Sequence, residues 1–404
     1  MLSLFRSQHS LVYFPFSPLI FQAPFHTRER IELGEQASFF FRRFGVVAFY
    51  LILIVYLYGD LAIYGAAVPK SLRDVICNYN PNNQSLNITN VALNESLPCF
   101  RNDEDGLNRF EVYQIALTVF FVCMLPFVFF NVQKTKWLQI VTSVLRWVSF
   151  IIMISIAVAK IAKDGPANPP LANISGVPVL FGSAIYSFMC HHSLPSLISP
   201  VKDKSKITGL FIVDFSMILV FYILLCATAV YAFDDLQDLY TLNFAPNTPN
   251  SVAFIPDSWV WVKYFVALFP VFTISASFPI IAITLRNNLK TLFQPKKRPF
   301  SKCVDRAVFP LVTIIPPIII VYFTNDVGVL VGITGAYAGA GIQYLLPAFL
   351  VYEARKQLTT ILGPAVKNKH MSPFKSPAWI WLVVVWCCLA LIFVTWDLIQ
   401  ARLG

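Results

Sequence analysis

Nine long runs of apolar residues alternate with polar segments along the chain. A helix that spans the hydrocarbon core of a bilayer needs about 20 predominantly apolar residues. We predict transmembrane helices over residues 44–68, 110–131, 138–162, 179–199, 208–232, 258–284, 307–325, 328–351 and 378–398. The pattern therefore predicts an all-helical, multi-pass membrane protein.

One run contains a stretch, residues 181–195, that is apolar yet carries residues that interrupt a helix. They are Gly182, Ser183, Ser187, His191, His192 and Pro195. A helix broken at membrane depth is tolerated only where it is buried in protein or lines a watery cavity, and transporters hold small solutes at such breaks. This stretch is the leading candidate for a binding site.

The segment before the first run, residues 1–39, is predicted not to span the membrane. Its one apolar piece, residues 11–25, is short and contains Pro15, Pro18 and Pro24, which disfavour a continuous helix. We interpret it as a cytoplasmic N-terminal segment, followed by a transmembrane domain over residues 40–404. The alternative is a cleaved signal peptide with Arg6 in its basic region, although no small-residue cleavage site follows.

The polar loops indicate how the chain is oriented in the membrane. Lys and Arg cluster in loops 132–137, 200–207, 285–306 and 352–377, whereas loop 233–257 has four aspartates and neither Lys nor Arg. Basic loops are typical of the cytoplasmic side. We therefore expect a cytoplasmic N-terminus and a lumenal or extracellular C-terminus.

Composition and net charge narrow the class of protein further. Hydrophobic residues make up 57% of the chain and charged residues 13%, well below the ~25% charged residues of soluble domains. The net charge of +10 is divided among short loops, which is typical of a membrane protein and not of a nucleic-acid-binding patch. The expected partner is the lipid bilayer, and no nucleic acid is expected.

Four Asn-x-Ser/Thr sequons support this orientation. They start at Asn83, Asn87, Asn94 and Asn173, and all four lie in loops predicted to be non-cytoplasmic, where such asparagines are glycosylated. Cys77 and Cys99 flank the first three sequons. In an oxidising compartment we predict a disulfide between them, with two separate thiols as the alternative.

Ionisable residues inside the apolar runs are few, and each is a candidate for function. Arg146 and Asp214 lie at similar predicted depth, which allows an ion pair; alternatively each reaches the interface or backbone carbonyls separately. Asp60 is a candidate acceptor of a proton or cation, or a carboxylate that bonds to neighbouring tyrosines. Because His191 and His192 point about 100° apart on a helix, we expect one of them near the solute path and place His191 in the proton or cation site.

Residues 270–279 carry hydroxyls between two prolines. Thr273 and Ser277 are four residues apart and share a helix face. Together with carbonyls of a helix interrupted here they could complete a cation site, or they could simply pack helices. The glycines at 328, 332, 335, 339 and 341 predict close helix packing.

Signatures of soluble enzymes are missing from the sequence: we find no Gly-x-Ser-x-Gly, no His-Glu-x-x-His and no phosphate-binding loop that ends in Lys. The cysteines form no metal-binding motif either. We therefore expect no catalytic residue, no metal and no cofactor other than a coupling Na⁺ or H⁺.

Two motifs resemble a known family. Residues 188–195, Phe-Met-Cys-His-His-Ser-Leu-Pro, resemble the Phe-x-Cys-His-x-x-x-Pro pattern in the sixth helix of the amino acid/auxin permeases, which include the sodium-coupled neutral amino acid transporters. Residues 332–336 and 346–352 resemble their tenth helix. From about residue 30 onward the chain is similar to the transmembrane protein 104 family of that group.

The resemblance implies a LeuT-like fold of eleven helices with two inverted five-helix repeats. The nine predicted helices would then be helices 3–11, and residues 1–30 would replace the first two, as in a truncated isoform. Substrate-binding residues implied for the sixth helix are Gly182, Ser183, Tyr186, Ser187 and Phe188. Thr273 and Ser277 would form the eighth-helix half of a cation site. Arg146 is on the fifth helix, where some sodium-independent members of the superfamily carry a basic residue.

The implied function is secondary transport of amino acids by alternating access, in the plasma membrane or an endosomal or lysosomal membrane. A truncated form could instead be inactive or regulatory. The alternative from another class is a membrane solute sensor, or a regulatory subunit that pairs with a full-length permease.

Overall fold

The structure is a computed structural model, and part of the chain is described by it. The described residues are 33–77, 95–100, 106–129, 136–169, 176–194, 207–234, 236–237, 239–246, 259–293, 300–301, 303–362 and 376–403. Most of the predicted N-terminal segment, Pro195 and the four sequon asparagines lie outside these residues. Those predictions therefore stay predictions.

The described part of the chain is almost entirely helical. Its α-helices are α1 (Leu33–Phe40), α2 (Arg43–Ile76), α3 (Arg109–Phe129), α4 (Lys136–Asp164), α5 (Val177–Ser187), α6 (Ile207–Ala232), α7 (Val260–Phe293), α8 (Phe309–Phe323), α9 (Val327–Ile333), α10 (Leu346–Leu362) and α11 (Pro377–Leu403). A 3₁₀ turn covers Tyr240–Phe244, and π-helical turns cover Val304–Val308, Thr334–Gly339 and Gly341–Leu345. Within the described residues, eight helical stretches are long and apolar enough to cross a membrane. The predicted multi-pass, all-helical class is confirmed.

Among the described residues, the predicted run 179–199 is the one without a matching long helix. Here α5 has 11 residues and ends at Ser187, and an irregular segment with turns continues to residue 193. The helix breaks inside the stretch for which the sequence predicts an interruption.

Several helices continue beyond the apolar runs that predict them. Helix α2 ends at Ile76 instead of residue 68, with Pro69 inside it. Helix α7 ends at Phe293 instead of residue 284. Charged side chains end the apolar run in both cases, but they form hydrogen bonds within the folded chain. Arg73 donates to Asp74, and Arg286 Nη1 donates to the carbonyl of Val128 at 2.7 Å.

The described chain forms two compact units. The first comprises Met1–Tyr56, Asn173–Ile218 and Val331–Gly404, and the second comprises Leu57–Ala172 and Leu219–Leu330. In the first unit α5 packs on the π-helical turn Thr334–Gly339 and on α11, and α10 packs on α11 and α1. The buried side chains of Ile185, Ala340 and Cys387 form a core there.

In the second unit α7 is central and packs against α3, α4, α8 and the 3₁₀ turn. Three aromatic rings fill the contact between α3 and α7. The ring of Phe278 meets those of Phe120 and Phe121 edge to face, with centroids 5.2 and 5.6 Å apart. Edge-to-face contacts of this kind stabilise a core beyond the area they bury.

The predicted disulfide is present in the second unit and joins Cys77 to Cys99. Beside it lies a polar network, which we call the Asp74 cluster. Its members Arg73, Asp74 and Arg109 are buried, and Glu95 and Asn325 are partly exposed. Asp74 Oδ1 accepts from Arg73 Nε at 2.7 Å and from Arg109 Nη2. Glu95 Oε1 accepts from Asn325 Nδ2 and lies 3.5 Å from Arg73 Nη1. The cluster and the disulfide together tie residues 95–100 and Arg109 to the end of α2.

Candidate functional site

The break at the end of α5 is the local feature on which the candidate site is built. Phe188, with φ −105° and ψ 12°, leaves the helical conformation. The N–H groups of Phe188 and Met189 donate to Ile185 and Tyr186, at 3.3 and 3.1 Å. These bonds span three residues instead of four, so the helix tightens and then stops.

Aromatic side chains surround this end within the first unit. The Tyr56 ring lies 6.4 Å from the ring of Tyr186 and 5.5 Å from that of His192. Phe188 stacks on Phe215 at 6.3 Å. Tyr56 is only 2% exposed and the other rings are partly exposed; we call these two groups of rings the aromatic collar of the break.

Glycines hold α5 directly against α9 and the π-helical turn that follows it. A Cβ atom added to Gly182 would contact the backbone of Gly332, and one added to Gly335 would contact the backbone of Gly182, with its carbonyl carbon at 2.9 Å. A Cβ atom on Gly339 would lie 3.1 Å from Ile185 Cγ2. The predicted role in close helix packing is confirmed for Gly335, Gly339 and Gly341, whose added Cβ atom would meet Ile52 Cγ2 at 2.9 Å.

The predicted substrate-binding residues are contiguous in the structure. Gly182, Ser183, Tyr186 and Ser187 occupy the last turns of α5, and Phe188 caps it. Gly182 is buried in the helix contact, whereas Ser187 is exposed and donates its hydroxyl to the Ser183 carbonyl at 2.8 Å. Their role in binding stays a prediction.

The predicted cation residues fall in both units. Thr273, Ser277 and the 4% exposed Asp60 belong to the second unit, and the 2% exposed His191 belongs to the first. Helix α7 runs through Pro270 and Pro279, so the structure does not have the interrupted helix that one of the two interpretations of residues 270–279 requires.

The two hydroxyls on α7 bond within their own helix. Thr273 Oγ1 donates to the Phe269 carbonyl at 2.9 Å, and Ser277 Oγ donates to the Thr273 carbonyl at 3.1 Å. Each hydroxyl oxygen therefore keeps its lone pairs for an acceptor role. Arg146 and Asp214 are both exposed and lie in different units, and their pairing stays a prediction.

Sequence reasoning missed Gln343, which is 1% exposed in the π-helical turn Gly341–Leu345. One signal could have found it, because it is the single carboxamide side chain in the apolar run 328–351. A carboxamide buried among apolar residues normally has hydrogen-bond partners, so one without them calls for an explanation.

Comparison with known proteins identifies the family. The family described as "Transmembrane amino acid transporter protein" matches residues 84–400. Transmembrane protein 104 of Homo sapiens is 48% identical over 382 residues, which cover 94% of this chain and 75% of the relative. The homolog from Drosophila melanogaster is 46% identical over 375 residues (91% and 73%), and the homolog from Dictyostelium discoideum is 33% identical over 401 residues (93% and 72%). The chain thus belongs to the transmembrane protein 104 family, within the transmembrane amino acid transporter proteins.

Proposed function

We propose that the chain is a secondary transporter of amino acids that works by alternating access, with the broken end of α5 as one wall of its substrate site. The observation that carries the proposal is the break itself, at Phe188, in a chain of the amino acid transporter family. Irregular backbone inside a membrane is found where it lines a cavity or a solute site.

The chemistry of this end suits the ammonium group of an amino acid. The last carbonyls of a helix lack their intrahelical partners, and they carry the partial negative charge of the helix dipole. Ser187, exposed at this end, adds a hydroxyl oxygen whose proton is already donated to Ser183. The rings of Tyr186 and Phe188 offer apolar contacts for the rest of the substrate.

Uptake of labelled amino acids into proteoliposomes tests the proposal. We expect accumulation that depends on an imposed Na⁺ or H⁺ gradient. Ser187→Ala should lower uptake at subsaturating substrate by at least about tenfold, which corresponds to ~1.4 kcal/mol of binding energy. Its matched control is Ser143→Ala, since Ser143 is also exposed and donates to a carbonyl four residues back, that of Gln139, at 2.8 Å.

Uptake no greater than in protein-free liposomes, for every amino acid and both gradients, would contradict the proposal. If amino acids stabilise the purified protein against heat but are never taken up, the alternative of a solute sensor or regulatory subunit gains support. Orientation, the identity of the membrane and the partner protein of that alternative stay predictions.

For the coupling ion, hydroxyl and carbonyl oxygens on α7 suit Na⁺, and the carboxylate of Asp60 and the imidazole of His191 suit a proton. Pro279 has no N–H, so the carbonyl of Ser275 has no helical partner and lies between Thr273 and Ser277 in sequence. These oxygens support the assignment of Na⁺ to this part of α7.

Thr273→Val is expected to raise the Na⁺ concentration for half-maximal uptake by at least about tenfold, because valine keeps the shape of threonine and removes one oxygen ligand. Uptake measured at varied Na⁺ and fixed pH gives the value. Thr284→Val is the matched control: Thr284 lies on the same helix and donates to the Ile280 carbonyl at 2.8 Å in the same way. An equal change in both variants would remove Thr273 from the cation site.

A further inference from the structure

Gln343 is a buried carboxamide with unused hydrogen-bonding capacity. Its side chain is 1% exposed, and neither Nε2 nor Oε1 has a hydrogen-bond partner in the part of the chain that the structure describes. Its neighbours in the helix, Gly341, Ile342 and Leu346, are buried as well. A buried polar group without a partner is costly and rare in native structures, so it calls for an explanation.

The backbone at Gln343 is also unusual. Two π-helical turns, Thr334–Gly339 and Gly341–Leu345, follow each other between α9 and α10. Wide turns of this kind are rare, and they are frequently found at functional sites. Gln343 therefore lies in a stretch whose backbone departs from the regular α-helix, as is frequent at functional sites.

The direction of Gln343 follows from the glycines that precede it. Gly335 faces Gly182 and Tyr186, and Gly339 faces Ile185 and Met189. Residue numbers rise together along this contact, so the two helices run parallel within the first unit. Four residues make roughly one helical turn, which places Gln343 on the same face as Gly339, one turn farther on.

That next turn is level with the residues that follow the break. Met189, which faces Gly339, is the second residue after the end of α5. The turn residues 191–193 follow Met189 along the chain, and His192, whose ring lies beside that of Tyr56, is among them. From this register we expect the carboxamide to lie level with the irregular segment that follows the end of α5.

We infer that Gln343 binds the substrate at the broken end of α5 and selects for an uncharged hydrogen-bonding group on it. This inference rests on the proposed function. The carboxamide offers donors at Nε2 and an acceptor at Oε1, so it matches a carboxamide or hydroxyl side chain of an amino acid. Its buried neighbours carry no charge, and an ionised group there would be poorly stabilised.

A site that hydrogen-bonds one substrate rejects an analogue without the hydrogen-bonding group, because buried polar groups are then left unpaired. In the ligand-free protein the Gln343 carboxamide is already unpaired within the described part of the chain, so the folded state already carries that free-energy cost. Loss of the carboxamide should therefore spare the fold and harm recognition. If Gln343 only stabilised the fold, loss of its carboxamide would destabilise the protein and leave substrate recognition intact.

Thermal melting of the purified full chain in detergent separates these roles, with L-glutamine and L-serine as polar probes and L-alanine and L-leucine as apolar ones. Gln343→Met without ligand is expected to melt at the wild-type temperature or above it. Its apparent affinity for L-glutamine should fall at least about tenfold, while that for L-alanine stays within about twofold.

Two matched controls come from the same helical stretch. Ile342→Met changes a neighbouring side chain that is 0% exposed and should alter neither property, because it conserves volume. Gln357 is a hydrogen-bonded glutamine whose Nε2 donates to the Phe40 carbonyl at 2.5 Å. Gln357→Met should lower the melting temperature and leave the preference for L-glutamine intact.

The inference is overturned if Gln343→Met melts as far below wild type as Gln357→Met and keeps the wild-type preference for L-glutamine. In that outcome the proposed function stands, since amino acids still bind. If no amino acid stabilises even the wild-type chain, both the proposed function and the inference on Gln343 are contradicted. If Gln343→Met does not fold, Gln343→Glu replaces it in the experiment, because glutamate keeps the shape of the side chain. An unchanged affinity of Gln343→Glu for L-glutamine also overturns the inference.

Discussion

Asp74→Ala is expected to lower the free energy of unfolding by about 3–5 kcal/mol, the cost of removing one partner from a buried ion pair. Asp74 Oδ1 accepts from both Arg73 and Arg109, and the three side chains are only 4–8% exposed. Without the carboxylate two guanidinium groups remain buried, with Glu95 as the one other anion of the cluster. Thermal melting in detergent measures the loss.

The matched control is Asp164→Ala. Asp164 accepts from Lys160 at 3.1 Å, but these side chains are 48% and 23% exposed. Exposed pairs one turn apart on a helix contribute about 0.3–0.5 kcal/mol. Asp74→Asn keeps an acceptor oxygen and should fall between the two. Equal losses in Asp74→Ala and Asp164→Ala would show that the Asp74 cluster does not hold the fold.

The Asp74 cluster also shows where sequence reasoning stops. Apolar length predicts the spans well, because the bilayer sets that length for each helix independently. The apolar run predicts an end of α2 at residue 68, because Lys70, Arg73 and Asp74 follow it. The helix continues since Asp74 meets Arg109, a residue 35 positions away, and no local periodicity reports such a pair.

In the candidate site, too, some features follow from the local sequence and others depend on tertiary packing. Small and polar residues inside an apolar run predict the break in α5 and the close approach of glycines, because both follow from local chemistry. Which helix the glycines approach, and that Gln343 is buried without a described partner, depend on tertiary packing. On α7 the local signal leaves two interpretations open, because Pro270 and Pro279 allow an interruption; the helix continues through both.

Gly335→Ala is expected to cost about 3 kcal/mol or more, at or above the upper end for overpacking a core, and to abolish stabilisation by amino acids. The added methyl group would contact the carbonyl group of Gly182, with its carbon at 2.9 Å, and Tyr186 Cβ at 3.1 Å. These are backbone atoms and a Cβ atom, which cannot rotate away as the end of a flexible side chain does. Helix α5 must therefore move as a body, and the broken end moves with it.

Gly332→Ala is the matched control, three residues earlier in the same helical stretch. Nothing lies within 4 Å of a Cβ atom added to Gly332, so alanine should be neutral or stabilise the helix by about 0.5–1 kcal/mol. Melting temperature and stabilisation by L-glutamine, measured side by side, separate the two variants. If Gly335→Ala matches Gly332→Ala in both, α5 is not held by the glycine contact. The position of the broken end would then have to be set by its collar of aromatic rings alone.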